Sequence, residues 1–334
     1  MFRTLNIIFL LSLILIVTSC FKDDELVMPH KPGTALTDTV ALTGFYSFQA
    51  FYNLQKNEVV KILEKESWDL GFEASHEGWR VLLNSSNFMK AANAGGQAFG
   101  LHADTAGAQW IFNPSDGSAD SLAIGRWFTV NGNDTLGNGQ MLLIDRGVNG
   151  QGISRGFRQL MIDSLSSGTY YFRVARIDGS GVQSFAVAKN PECNLVLCSF
   201  DNPAAVISEP EIPDWDILFT QYTTLLYTDL GEAYPYLVTG VLLNESGVEV
   251  AEDTLHTFDN MDFSTAQSLN FSRQADVIGY KWKIYDFNAA SYTVDTKLLF
   301  VIRDMRGYLY KFRFVGFYNN KGEKGFPSFE YQRL

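Results

Sequence analysis

The chain has 334 residues, 46% hydrophobic and 14% aromatic, enough to bury a sizeable core, which excludes a disordered protein. A formal net charge of −11 excludes a nucleic-acid partner held by neutralising phosphate over a continuous face. The 26 Phe and 15 Tyr, set in short alternating runs divided by Gly, Asn and Asp, predict an all-β protein of antiparallel sheets.

Residues 1–19 carry one charged side chain, Arg3, then the apolar run Ile7 to Val17, and read as a secretory signal peptide. The run is too short to span a bilayer, and Val17-Thr18-Ser19-Cys20 resembles a bacterial lipobox with Cys20 as the acylated residue. Removing the signal takes away one positive charge, so −11 becomes −12. Residues 20–40 then read as a lipidated tether, with Phe21-Lys22-Asp23-Asp24-Glu25 running into Pro29 and Pro32. Acidic residues directly after the lipid-bearing Cys resemble the surface-export signal of Bacteroidetes lipoproteins. That likeness implies the cell-surface side of the outer membrane, with membrane contact through the lipid on Cys20.

Strands are predicted near residues 42–54, 58–63, 68–74 and 79–84. Ser85 to Gly139, rich in Gly, Asn, Asp and Ser, reads as loops with short elements. Strand signals resume at 141–144, 157–162, 170–177, 195–200 and 215–227. The link Glu209-Pro210-Glu211-Ile212-Pro213 divides an N-terminal β region, 41–208, from a C-terminal one, 209–334, unless the two form one continuous domain. Beyond it lie strands at 236–243 and 277–285. A closing hairpin, Lys297 to Arg303 and Tyr308 to Tyr318, puts Tyr308, Tyr310, Phe312 and Phe314 on one face as sheet core.

Two of these strands echo each other: Ser67-Trp68-Asp69-Leu70-Gly71-Phe72 and Asp214-Trp215-Asp216-Ile217-Leu218-Phe219. Period-2 alternation puts Trp, Leu or Ile, and Phe on one face and Asp on the other. An aromatic strand and a valine-bearing segment precede each copy, so one supersecondary unit is expected to occur twice.

Catalytic patterns fail their context, and no enzyme is expected. Gly152-Ile153-Ser154-Arg155-Gly156 fits G-x-S-x-G, but it follows a glycine-rich loop in a chain with little helix, where no strand-to-helix elbow is expected. His30, His76, His102 and His256 have no zinc spacing. His30 falls in the tether, and His76 and His102 read as loop residues. His256 has Met261 five residues on, and imidazole and thioether are the neutral side chains that suit an iron porphyrin. Cys193 and Cys198 form either a disulfide, which needs a bulge or hairpin between them, or two thiols. Asp-Ser/Thr-apolar triplets, among them Asp38-Thr39-Val40, Asp163-Ser164-Leu165 and Asp253-Thr254-Leu255, are similar to O-glycosylation acceptors of Bacteroidetes envelope proteins, and they are also ordinary strand entries.

The two Trp-Asp strands, Phe219-Thr220-Gln221-Tyr222-Thr223-Thr224, Ile278-Gly279-Tyr280-Lys281-Trp282-Lys283, and Leu299-Phe300-Val301-Ile302-Arg303-Asp304 with Gly307 and Tyr310-Lys311-Phe312 resemble the HmuY family, bacterial outer-membrane lipoproteins named for a haemophore. The resemblance implies an HmuY-like all-β fold, capture of haem, and its delivery to a TonB-dependent outer-membrane receptor. It also implies two axial iron ligands, His or Met, from the C-terminal half. One would fall just after Trp282, where this chain has Tyr285-Asp286-Phe287-Asn288 instead, and the other near His256. His256 is therefore the first haem-ligand candidate, with Met261, His102 or His76 as the second. The alternative is a lipoprotein on the same fold that binds a non-haem ligand or acts structurally.

Overall fold

β-Branched and aromatic residues alternating with polar ones build antiparallel ladders throughout the computed structural model, which describes residues 32–131, 134–202 and 206–334. The expected signal peptide, Cys20 and His30 lie outside the described residues. Four sheets stack in layers. The first outer sheet runs β1 (Leu36–Thr39), β22 (Lys324–Arg333), β21 (Leu309–Tyr318), β20 (Leu299–Arg303) and β17 (Glu249–Asp253). It packs through Tyr52, Phe219, Phe312 and Phe329 onto an inner sheet of β16 (Ala233–Leu243), β15 (Ile217–Tyr227), β2 (Phe48–Asn53) and β3 (Glu58–Glu64). Each of these rings is fully buried and contributes roughly 1.5–3 kcal/mol.

A second inner sheet, β14 (Val206–Ser208), β13 (Leu195–Cys198), β4 (Leu70–Glu73) and β5 (Val81–Leu83), meets the first through Phe51, Leu63, Trp68, Leu197 and Trp215. Its other face packs through Phe72 against Tyr170, Phe172 and Trp127 of the second outer layer. That layer contains β12 (Gln183–Ala188), β11 (Thr169–Arg176), β10 (Phe157–Ser166), β8 (Asp134–Gly137) and β7 (Phe128–Asn131), with β9 (Leu142–Asp145) on β10 and β6 (Lys90–Asn93) on β9. β10 and β11 join through Ser167-Gly168, both at positive φ, the two-residue turn whose twist suits a hairpin. A separate hairpin pairs β18 (Lys283–Asp286) with β19 (Ser291–Val294), and the one α-helix among the described residues, α1 (Phe263–Gln267), is capped by Asp262.

The two Trp-Asp segments make matching hydrogen bonds. Asp69 accepts from Phe200 N–H at 2.8 Å and Asp216 from Leu54 N–H at 2.7 Å. Asn84 Nδ2 donates to the carbonyls of Lys65 and Trp68, and Asn244 Nδ2 to those of Ile212 and Trp215. The pairing is exchanged: β2–β3 lie against β15, whereas β13–β14 lie against β4. The sheets therefore interleave across residues 208 and 209.

Several sequence expectations change. Trp68 and Trp215 do not share a face with Leu70 and Phe72 or Ile217 and Phe219; both turn into the layer between the inner sheets. The cause is a 3-10 turn ending just before each Trp, so strand alternation starts only after the Asp. The chain enters a sheet at Leu36, inside the segment read as tether through residue 40. Of the two alternatives left open for Cys193 and Cys198, the structure has them not joined to each other; Cys193 Sγ donates to the Glu209 carbonyl at 3.3 Å, while Cys198 lies in β13. Arg155 of the G-x-S-x-G stretch pairs with Asp69 at 3.1 Å. Three triplet aspartates have structural partners: Asp38 accepts from Tyr52, Asp163 pairs with Arg173, and Asp253 holds His256.

Candidate functional site

The segment Ile278 to Lys283 builds the site. Gly279, at φ +55°, pairs through its N–H and carbonyl with Val241 of β16 at 3.1 and 3.0 Å. The approach is close: a Cβ on Gly240 would stand 2.3 Å from the Gly279 carbonyl oxygen. Past this anchor Trp282 turns into the core and stacks on Phe314, centroids 3.7 Å apart and planes 11° apart, while its Nε1–H donates back to the Gly279 carbonyl. Alternation would then send Lys283 to water, but β16 stands there, and Lys283 is only 8% exposed.

Lys283 Nζ donates to the Thr239 carbonyl. It lies 4.5, 5.1 and 5.7 Å from the ring centroids of Trp282, Phe317 and Tyr292, which stabilise a cation through their π faces. Burial pulls its pKa down to about 7. Beside it, between β16 and the β18–β19 hairpin, a groove of about 680 Å³ is lined by Tyr46, Tyr234, Tyr236, Tyr280, Tyr285 and Tyr292. That volume suits a drug-sized organic ligand. Burial raises the pKa of Tyr46, Tyr280 and Tyr292, so their hydroxyls stay neutral. Lys324 also lines the groove, 5.8 Å from the Tyr46 ring, so the fixed charge of the lining is positive. At its mouth Phe287 is 88% exposed and meets Tyr285 edge-on at 5.1 Å.

Two other cavities differ in character. One of about 770 Å³, also touching Tyr234, carries two carboxylates, Glu252 and Asp276, against one lysine, Lys281, in its wall. Another of about 510 Å³ is lined by His76, Trp79, Arg126, Phe128 and Lys189.

The model of the HmuY protein family matches residues 46–331. The chain belongs to the HmuY family. Among solved structures, apo PinO from Porphyromonas gingivitis is 10% identical, with 90% of this chain and 97% of that one covered and a TM-score of 0.30. The apo HmuY analog of Tannerella forsythia is 9% identical, covering 91% and 97%, at a TM-score of 0.27. A candidate HmuY-like heme binding protein from Bacteroides vulgatus is 19% identical, covering 41% and 82%, at 0.18. No curated protein matches the chain.

This HmuY-family chain disperses the residues that sequence reasoning singled out. His256 follows β17, its Nδ1 3.2 Å from the Asp253 carboxylate, which leaves Nε2 for another partner. Met261 is 1% exposed, packed with Phe258, Leu299, Val301 and Leu309 on the outer side of the first outer sheet. His102 is exposed in the loop after β6, and exposed His76 lines the third cavity. None of the four lines the tyrosine groove. Among the described residues, no three His, Cys, Asp or Glu side chains converge to hold a metal ion, and no helix is long and apolar enough to cross a membrane. Sequence reasoning missed Lys283 as a site residue. The available signal was a lysine directly after a tryptophan in an aromatic-rich run, but alternation reads it as solvated.

Proposed function

We propose that the tyrosine groove binds a flat tetrapyrrole of the haem type and that the protein is a binding lipoprotein rather than a catalyst. The observation that carries this reading is the groove itself: six tyrosines and two lysines around about 680 Å³ give π faces for a planar ring and positive charge for propionates. Membership of the HmuY family supports the haem class. Anchoring at the outer membrane through Cys20, display at the cell surface and hand-over to a TonB-dependent receptor complete the proposal. The exposed tips of the β15–β16 and β18–β19 hairpins, Leu230 and Phe287, suit such an encounter.

A second reading is a non-haem ligand on the same fold, favoured by the lack of His or Met among the groove-lining residues. Hemin titration of residues 21–334, followed in the Soret band, tests the first. Saturable binding that Tyr285→Ala with Tyr292→Ala weakens, and that His256→Ala leaves unchanged, supports the groove. Loss on His256→Ala would move the site to the segment after β17. An unsaturating spectrum like that of free hemin would leave the non-haem reading.

A further inference from the structure

The charge balance of the groove narrows its ligand further than its shape does, and this step rests on the groove being the binding site. Lys283 has lost its water, and what surrounds it compensates only in part. β16 contributes the Thr239 carbonyl and Tyr236; the β18–β19 hairpin contributes Tyr285 and Tyr292; β21 contributes Phe317. Tyr46 stands before β2, and Lys324 of β22 adds like charge. Among these groups none is a carboxylate, although a buried ammonium is stable only with a counter-ion or good hydrogen bonds. The cation therefore lacks an anion on the side that faces the groove.

We propose that the groove selects planar aromatic ligands bearing a carboxylate, which supplies the missing counter-ion of Lys283. The carboxylate and the Nζ ammonium form a charge-assisted hydrogen bond away from bulk water, with the rings stacking on the ligand plane. A metal centre in the ligand is not needed for this recognition. Binding holds Lys283 protonated, whereas burial in the free protein puts its pKa at about 7. Proton uptake is thus linked to capture, and affinity falls as pH rises above neutrality.

Metal-free protoporphyrin and its dimethyl ester, titrated into residues 21–334 by tryptophan quenching, separate charge from shape. The free acid is expected to bind at least about tenfold tighter than the ester at pH 6, as for one hydrogen bond to a charged group. Its affinity is expected to fall about tenfold between pH 6 and pH 8, while the ester's stays flat. Lys283→Met removes both effects, and Lys283→Arg, charged throughout, removes the pH dependence alone. Removing an uncompensated buried cation should leave Lys283→Met with a melting temperature no lower than the native chain's, and the ester comparison needs no variant. Equal affinity for acid and ester, or a pH-independent preference that survives Lys283→Met, overturns the proposal. If hemin, acid and ester all fail to bind, the groove reading falls with it; if hemin saturates the groove while acid and ester bind alike, only the role of Lys283 falls.

Discussion

Asp69 and Asp216 occupy matching places with different electrostatics. Each accepts a backbone N–H from just past the end of the strand laid against it, but Asp69 also receives Arg146 Nε and Nη2 at 3.0 Å and pairs with Arg155 at 3.1 Å. Asp216 makes no ion pair among the described residues, and burial pushes its pKa up to about 6 against the opposing pull of the Leu54 N–H. A carboxyl group with a raised folded pKa stabilises the fold when protonated. Its contribution is complete below the ordinary range near 4 and is lost as pH rises through about 6. Asp216→Asn keeps an oxygen for Leu54 and is therefore expected to leave stability unchanged or higher at pH 7. Asp69→Asn takes one of two carboxylates from buried Arg146, which keeps Asp201 at 2.6 Å, and removes the ion pair of Arg155, and is expected to cost about 2 kcal/mol. Urea unfolding at pH 7 separates the two; equal losses would show that burial at Asp216 carries no penalty.

At the scale of elements, the contact between β16 and the turn at Gly279 fixes where Trp282 and Lys283 stand. Gly240→Ala drives a methyl against a backbone carbonyl, and overpacking of this kind costs about 2 kcal/mol. The expected result is a lower melting temperature together with weaker groove binding. Weaker folding with intact binding would detach the groove from this contact. The same elements show what the sequence could convey. Alternation located the closing hairpin, and Tyr310, Phe312 and Phe314 are core, while Tyr308 is 37% exposed. The resemblance was to the family the chain belongs to, and the antiparallel all-β class was legible from composition. β22 was hidden because Gly325 and Pro327 interrupt its signal, although Phe329 and Tyr331 alternate into the core. β6, β7 and β8, four residues each, are too short for a period to stand out in a loop-like composition. The burial of Lys283 was not legible because alternation describes one strand and knows nothing of the strand that covers it.

At the scale of the whole molecule, the exchanged pairing decides what can fold alone. The inner sheet beneath Phe329 needs β2 and β3 from one side of residue 208 and β15 and β16 from the other. Phe219 stacks on Phe329 at 5.2 Å, and Tyr52 meets the same ring edge-on at 5.1 Å, so the largest cluster of the C-terminal half is finished by the N-terminal half. β1 likewise completes the first outer sheet from outside 209–334. The reverse dependence holds for β4, whose partner β13 lies on the same side of the link but whose Trp68 packs with Trp215 beyond it. Expressed separately, residues 209–334 would expose the core face of β15 and an unpaired edge of β22, and residues 32–208 the core face of β2. Neither is expected to unfold cooperatively by near-UV circular dichroism in urea, whereas the mixed fragments should regain the native spectrum. A cooperative transition from 209–334 alone would make the proline-bearing link a true domain boundary and would mean that the β2–β3 hairpin is an addition to a core already complete.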